Sequence, residues 1–280
     1  MVESNHGKFD LVIASRDLVR LEANLNLISQ SSVLPNRVIW CLPPSILQDI
    51  EKVDTSRFPL SVSIFESPKS GQVHQRIFGI SQATSEFVIF MDDDIEFGSL
   101  LFEKLLKHVV MSDPCVVSPL IFNLNQTPLY KNPSKITKLI DFVIHGFALK
   151  SLRSGRVGLS GFPKYVDLED FKSPSFEVEW LPGGVQALSK SLFPTKNYYP
   201  FEGKAYCEDL FLSEIYKKRF VKLFILNTIV YTEVSPLQLN LKSFYFDFKA
   251  RLSFVKSTNK SVIRMTLWYI ALLFVGVFRK

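Results

Sequence analysis

The stretch Glu86-Phe87-Val88-Ile89-Phe90-Met91 runs directly into Asp92-Asp93-Asp94. An unbroken apolar run bounded by charge reads as a strand buried on both faces, the kind found in parallel sheets covered by helices. The upstream chain agrees. Residues 9–14, 37–42 and 60–65 read as strands, the second stopped by Pro43-Pro44. Residues 18–29 and 72–83 carry apolar positions at helical spacing, and a short helix with Ile46 and Ile50 is expected after Pro44. Strand and helix alternating in this way predict an α/β fold with a mostly parallel central sheet. In such sheets ligands bind beyond the carboxyl ends of the strands, and the aspartates stand at one. Oxygen-only donors suit Mg²⁺ or Mn²⁺, which share their shells with substrate phosphates. The motif therefore points to metal-assisted chemistry on a phosphorylated substrate.

Bulk properties narrow the field. At 280 residues with 25 Phe, the chain can bury a sizeable core and is not of disordered composition. Its net charge of +6 is lopsided, because no acid follows Asp247 while seven basic residues do: Lys249, Arg251, Lys256, Lys260, Arg264, Arg279 and Lys280. The rest is close to neutral, so no nucleic-acid partner is expected. Cys41, Cys115 and Cys207 form neither a metal motif nor a disulfide framework, and the opening residues are polar. Both features fit a cytoplasmic location. Residues 99–110 and 208–218 read as helices, and 177–181 and 221–231 as strands. Residues from about 120 to 178 show no clean pattern apart from one helix over 134–149. Such a segment is often a substrate loop.

Four groups can carry chemistry. The aspartates mimic an EF-hand in the positions of Asp92, Asp94, Glu96 and Glu103, but Phe97 stands where the sharp turn needs Gly, and no helix leads in. Cys207-Glu208-Asp209 opens a helix. Its acids either cap free N–H groups or supply a general base for a hydroxyl nucleophile. Pro182-Gly183-Gly184 is a turn, or a place where a bulky ligand meets the backbone. In Ser70-Gly71-Gln72-Val73-His74-Gln75-Arg76, the arginine faces an anion or makes a surface salt bridge.

Taken in order, Phe90-Met91-Asp92-Asp93-Asp94, Leu181-Pro182-Gly183-Gly184 and Cys207-Glu208-Asp209-Leu210 resemble glycosyltransferase family 2, the inverting enzymes of GT-A fold. The resemblance covers residues 9–235. It implies that Asp92 and Asp94 form the Asp-x-Asp pair, with Asp94 nearest the metal and Asp92 nearer the ribose or a metal-bound water. Asp93 would be the intervening acid on the donor side. It further implies Asp209 as general base, with Glu208 as the lesser candidate. Gly183 and Gly184 would line the donor–acceptor junction, Ala14, Ser15 and Arg16 would sit by the nucleotide base, and Arg76 near the donor. The implied donor is a nucleotide-diphosphate sugar, and the implied acceptor a glycan or lipid-linked glycan. Three departures stand out. No acid follows the second strand (Trp40-Cys41-Leu42-Pro43-Pro44), Thr232 stands where a metal-binding His is expected, with Glu233 beside it, and the Gln-x-x-Arg-Trp motif of processive synthases is absent. A single-addition enzyme follows from the last.

The resulting division is a catalytic domain over 1–235, its halves 9–110 for the nucleotide sugar and 111–235 for the acceptor, followed by a basic, aromatic helical tail over 236–280. Residues 265–278 are uncharged but short of the roughly 20 a membrane span needs. Trp268, Tyr269 and the flanking Arg264 and Arg279-Lys280 suit a segment lying on an anionic cytoplasmic leaflet, and the aromatic, basic stretch Ser243 to Lys256 resembles the membrane-proximal helices of bacterial family members that build surface polysaccharides. Packing against the catalytic domain or a second subunit is the alternative. Two other functions compete: a nucleotidyltransferase, disfavoured because Ala14-Ser15-Arg16-Asp17 contains no Gly, and a non-catalytic relative that binds sugar at a membrane.

Overall fold

The computed structural model describes residues 7–44, 54–112, 114–124, 153–202, 204–233 and 241–278. The expected helices after Pro44 and over 134–149 lie outside the described residues. The described strands join in one sheet of nine, ordered β3-β2-β1-β4-β8-β6-β9-β5, with β7 on β9. They are β1 Phe9–Ala14, β2 Arg37–Leu42, β3 Val62–Glu66, β4 Phe87–Asp92, β5 Ile95–Phe97, β6 Cys115–Asn123, β7 Ser175–Val178, β8 Val185–Ser189 and β9 Lys222–Thr232. The helices are α1 Leu21–Ser29, α2 Gln72–Gln82, α3 Leu101–Ser112, α4 Glu208–Lys218, α5 Leu241–Ser257 and α6 Val262–Phe278.

Strands β1 to β4 are mutually parallel, as their apolar runs require. Beyond β4 the sheet is mixed. β8 lies antiparallel to both β4 and β6, while β6 and β9 run parallel. Two findings correct the expected pattern. The irregular region does not begin at 120, since β6 extends to Asn123 and pairs with β9 to Thr232. The three-residue β5, too short to show a period, exists because Ile95 and Phe97 pair with Thr232 and Val230.

The period-two alternation of the strands divides the core into two layers. Leu11, Ile13, Trp40 and Ile89 meet Leu21, Leu25 and Ile28 of α1 and Phe102, Leu105 and Val109 of α3. Val12, Ile39, Val88 and Phe90 meet Ile80 of α2 and Leu212 and Tyr216 of α4. α2 comes very close to the sheet at Gly79, where a Cβ would lie 2.6 Å from both Cys41 Sγ and Val12 Cγ1. That contact rules out any larger residue there without a shift of the helix.

Asp10 is the one charged residue inside β1. Its buried carboxylate accepts the Thr84 and Ser85 N–H groups at 2.6 and 3.0 Å and the Ser85 hydroxyl at 2.9 Å. Burial pushes its pKa up, but these hydrogen bonds outweigh it and hold the carboxyl below the usual Asp value. The stabilisation is therefore present above the ordinary Asp pKa and is lost as pH falls through the depressed one. Asp10→Ala is expected to cost about 3 kcal/mol by orphaning buried donors, measured by urea unfolding at pH 7, with the gap to wild type narrowing as pH falls below the ordinary Asp value.

α5 and α6 pack on the body that carries the sheet. Phe254, Val255, Met265 and Tyr269 form a cluster with Trp180 and Leu210. Buried Arg251 donates to Gly161 O at 2.9 Å and lies 4.0 Å over the Phe162 ring. Within the apolar segment 265–278, Met265 and Tyr269 thus pack on the rest of the protein. Among these, no helix is long and apolar enough to cross a membrane.

Candidate active site

β1 and β4 end side by side, with Ala14 opposite Asp92. The turn after β4 carries the aspartates, and each makes a different bond. Asp92 Oδ1 accepts from Arg76 Nη2 at 2.6 Å and from Gln72 Nε2 at 2.7 Å. Asp93 accepts the Ser15 hydroxyl, and its backbone carbonyl accepts Asn24 Nδ2 at 2.8 Å. Asp94 Oδ2 accepts the Thr232 hydroxyl at 3.0 Å. Thr232 therefore stands against Asp94, where the expected metal-binding His would be. Glu233 is drawn away, paired with Arg20 at 2.5 Å.

Arg76 is the hub. It is 1% exposed, although the sequence allowed a surface role. Its guanidinium reaches Asp92, Glu208 and Gly183 O and stacks 5.0 Å from the Phe90 ring. Burial alone would lower its pKa; the charges of Asp92 and Glu208 outweigh this and raise it. The surface-salt-bridge reading of Arg76 is thereby corrected, and its charge is already spent on two carboxylates.

Glu208 does not cap its helix. Its side chain is buried, takes the Arg76 ion pair and accepts the Tyr198 hydroxyl at 3.0 Å. That leaves Asp209 as the carboxylate of this pair without a cation bound to it. Asp209 is half-buried, and its Oδ1 accepts the Leu210 N–H at 3.0 Å. Loss of water, then the neighbouring charge of Glu208, pushes its pKa up to about 7. α4 is fastened to the chain before β8 through Ser213, whose hydroxyl donates to Asp209 O and accepts the Leu181 N–H.

The glycine pair touches this network. A Cβ on Gly183 would sit 3.0 Å from Glu208 Oε1 and 3.6 Å from Asp209 Cβ. One on Gly184 would sit 2.9 Å from Ile121 Cδ1 and 4.0 Å from Asp92 Oδ2. Both glycines thus admit close packing of the protein on itself, beside whatever ligand the edge accepts. Of Ala14, Ser15 and Arg16, only Arg16 is exposed.

Sequence reasoning missed three supports. Gln75 is buried and donates to Ser15 O and Cys41 O, tying the ends of β1 and β2. Gln72 reaches Asp92, and Tyr198 reaches Glu208. The two glutamines share a helix face with Arg76 in Gln72-Val73-His74-Gln75-Arg76, which was a usable signal; Tyr198 had none.

A divalent cation can be tested against these donors. Among the described residues, no group of three or more His, Cys, Asp or Glu side chains is arranged to hold a metal. The two-carboxylate donor set is nevertheless hard and anionic. Burial raises the Asp94 pKa, the charges of Asp92 and Asp93 raise it further, and Thr232 and the distant Arg20 only partly offset them. A cation would relieve that repulsion, so the residues fit one whose shell is completed by phosphate and water.

Residues 43–158 match the sequence profile described as Glycosyl transferase family 2. The match covers 116 of the chain's 280 residues. No curated protein sequence matches the chain. Among solved structures, GalNAc-T7 with UDP, GalNAc and Mn²⁺ is similar to this chain at a TM-score of 0.60 and 14% identity, over 85% of this chain and 45% of that one. Glucosyl-3-phosphoglycerate synthase from Mycobacterium tuberculosis, in complex with Mn²⁺, UDP and glucosyl-3-phosphoglycerate, gives 0.54 and 13% over 89% and 80%. TarS 1–349 from S. aureus with UDP-GlcNAc gives 0.53 and 13% over 88% and 66%. The chain thus spans under half of GalNAc-T7. At these identities the likeness is one of fold, and that fold is GT-A.

Proposed function

We propose that this chain transfers a single sugar from a nucleotide-diphosphate sugar to an acceptor hydroxyl, with inversion at the anomeric carbon. The observation that carries the reading is the Arg76 hub, which brings the aspartate turn and the helix opening with Asp209 to one sheet edge. Residues 9–110 bind the donor, residues 111–235 receive the acceptor, and 236–280 form the tail. The relatives crystallised with UDP or UDP-GlcNAc, two of them with Mn²⁺, support the donor class.

Asp209 accepts the proton of the acceptor hydroxyl as that oxygen bonds to the anomeric carbon. The bond from that carbon to the diphosphate breaks on the opposite face, and the nucleoside diphosphate leaves with the electron pair. A pKa of about 7 keeps Asp209 competent both to take the proton and to release it near neutrality. Glu208 is held by Arg76 and fixes the first turn of the helix in place of competing for the proton. Asp94, with the free oxygen of Asp92, would hold Mg²⁺ or Mn²⁺, which when bound neutralises charge on the leaving diphosphate. Ser15 positions Asp93, and Arg16 is the exposed group beside the donor's base. A glycan or lipid-linked glycan is the acceptor, met at the inner face of the cell membrane.

Calorimetric titration of UDP, GDP and dTDP tests the reading. One nucleotide is expected to bind about 10–100-fold more tightly with Mn²⁺, and Asp94→Ala should remove that difference. Binding indifferent to metal would overturn the metal assignment. A second reading, a sugar-binding relative without catalysis, draws on Thr232 and the Arg20–Glu233 pair, which leave Asp94 without a third anionic partner. Acceptor-free hydrolysis of the bound nucleotide sugar distinguishes the two, because the transferase should show it.

A further inference from the structure

Two carboxylates open α4, and two buried arginines approach them from different elements. Arg76 of α2 is in contact with Glu208. Arg251 of α5 is 8% exposed, and its guanidinium is fixed largely by neutral groups. Nη1 donates to Gly161 O, Nε donates to the Tyr269 hydroxyl at 3.2 Å, and the Phe162 ring covers one face. The nearest carboxylate, Asp247, stands 3.6 Å off and also accepts the Tyr269 hydroxyl. One loosely placed acid leaves part of the arginine's charge uncompensated. The neighbours of Arg251 on α5 show where that charge is brought. Ala250 precedes it and Phe254 lies a turn later, both on the buried face. Ala250 packs in a cluster with Cys207 and Phe211. Phe254 packs with Leu210 and meets the Phe211 ring edge-on, centroids 5.5 Å apart. Cys207, Leu210 and Phe211 bracket Asp209 in the chain, so α5 delivers Arg251 to the turn that carries it.

We propose that Arg251 is a positioning residue for the reaction: the tail sets a fixed positive charge behind Asp209, near enough to favour its ionised form without binding it. This rests on the reading of Asp209 as the base. A cation in contact, as Arg76 is for Glu208, would make the carboxylate too weak a base. With no cation at all, burial beside Glu208 would keep it protonated at neutral pH. The surrounding charges fit this middle course. Loss of water and then Glu208 push the Asp209 pKa up, and Arg251 opposes them more strongly than Arg76 does. Burial likewise raises the Cys207 thiol, and Arg251 pulls it the other way. Asp247 of α5 and Tyr269 of α6 face the arginine from its other side. The tail is therefore a working part of the site and more than an appendage to it.

Carboxyl carbon NMR of the full chain, with isotope-labelled aspartate, tests this without any substrate. The Asp209 signal is the one missing from Asp209→Asn. In Arg251→Met its titration midpoint should move above that of wild type. In Arg251→Lys, which keeps the charge, it should stay close to wild type. If Arg251→Met does not fold, Arg251→Gln/Asp247→Asn removes both charges together and leaves neither unpaired. Compared with Asp247→Asn alone, it should move the midpoint the same way. With UDP-glucose as the donor probe, Arg251→Met should lower kcat/KM roughly tenfold at pH 6 and little at pH 9, whereas lost packing alone would lower it at both. An unmoved midpoint in the variants without the charge overturns the proposal, whatever the rates show. A moved midpoint with a rate that ignores pH would keep the hold of Arg251 on Asp209 and count against Asp209 as the base.

Discussion

Asp209→Asn is expected to reduce sugar transfer by roughly 10²–10⁴-fold, the usual contribution of a general base, while making the fold more stable. The two effects have one origin. The folded protein holds the Asp209 pKa at about 7, well above the ordinary aspartate value of 3.8. The folded state therefore binds this proton more tightly than the unfolded chain does. The resulting cost is absent below the unfolded pKa, grows as the unfolded chain ionises, and is complete above pH 7. An amide at this position cannot ionise and carries no such cost. Melting temperatures of the variant should exceed those of wild type by more at pH 8 than at pH 5. In wild type, kcat/KM should rise with pH through an inflection near 7, and the variant's residual rate should lack it. An active variant with the wild-type pH profile would exclude Asp209 as the base.

Arg76→Met should be the most destabilising single change in the site, at about 3–5 kcal/mol. Removing the guanidinium leaves the buried Glu208 without its cation and Asp92 without a strong donor, and it orphans the carbonyl of Gly183. Each carboxylate can relieve the penalty only by taking up a proton, so the loss should be smaller at pH 5 than at pH 8. Urea unfolding at both pH values measures it. Arg76→Met combined with Glu208→Gln should lose less than the two single changes together, because the pair shares one desolvation cost. Additive losses would mean that the ion pair does not couple the turn to the helix.

The apolar runs of β1, β2 and β4 were legible because a strand buried on both faces has few alternatives. The aspartates stood out because adjacent like charges repel, but their separate partners Arg76, Ser15 and Thr232 did not. β8 was not, since Val185-Gln186-Ala187-Leu188-Ser189 is short and acquires its place by pairing with β4 and β6. The candidate site was half legible. Arg76 could be read as facing an anion, but local sequence holds no sign that its partners are Asp92 and Glu208, the latter 132 positions away. The role of Glu208 also changed: helix-start acids usually cap, and tertiary burial overrode that preference. α5 showed its composition but not its orientation, which depends on what Phe254 and Arg251 pack against.

β8 has a consequence for how the chain is made. Phe87 pairs with Ser189 and Met91 with Val185, so the inner edge of β4 has no partner until some hundred further residues have left the ribosome. During that interval β1 to β4 can assemble with α1 and α2, exposing one apolar strand edge of the type that joins other chains. The sheet is closed by a long-range pairing, which slows folding. Synthesis from the amino end therefore produces a sticky half-sheet first, and the strand that seals it belongs to the second half of the molecule.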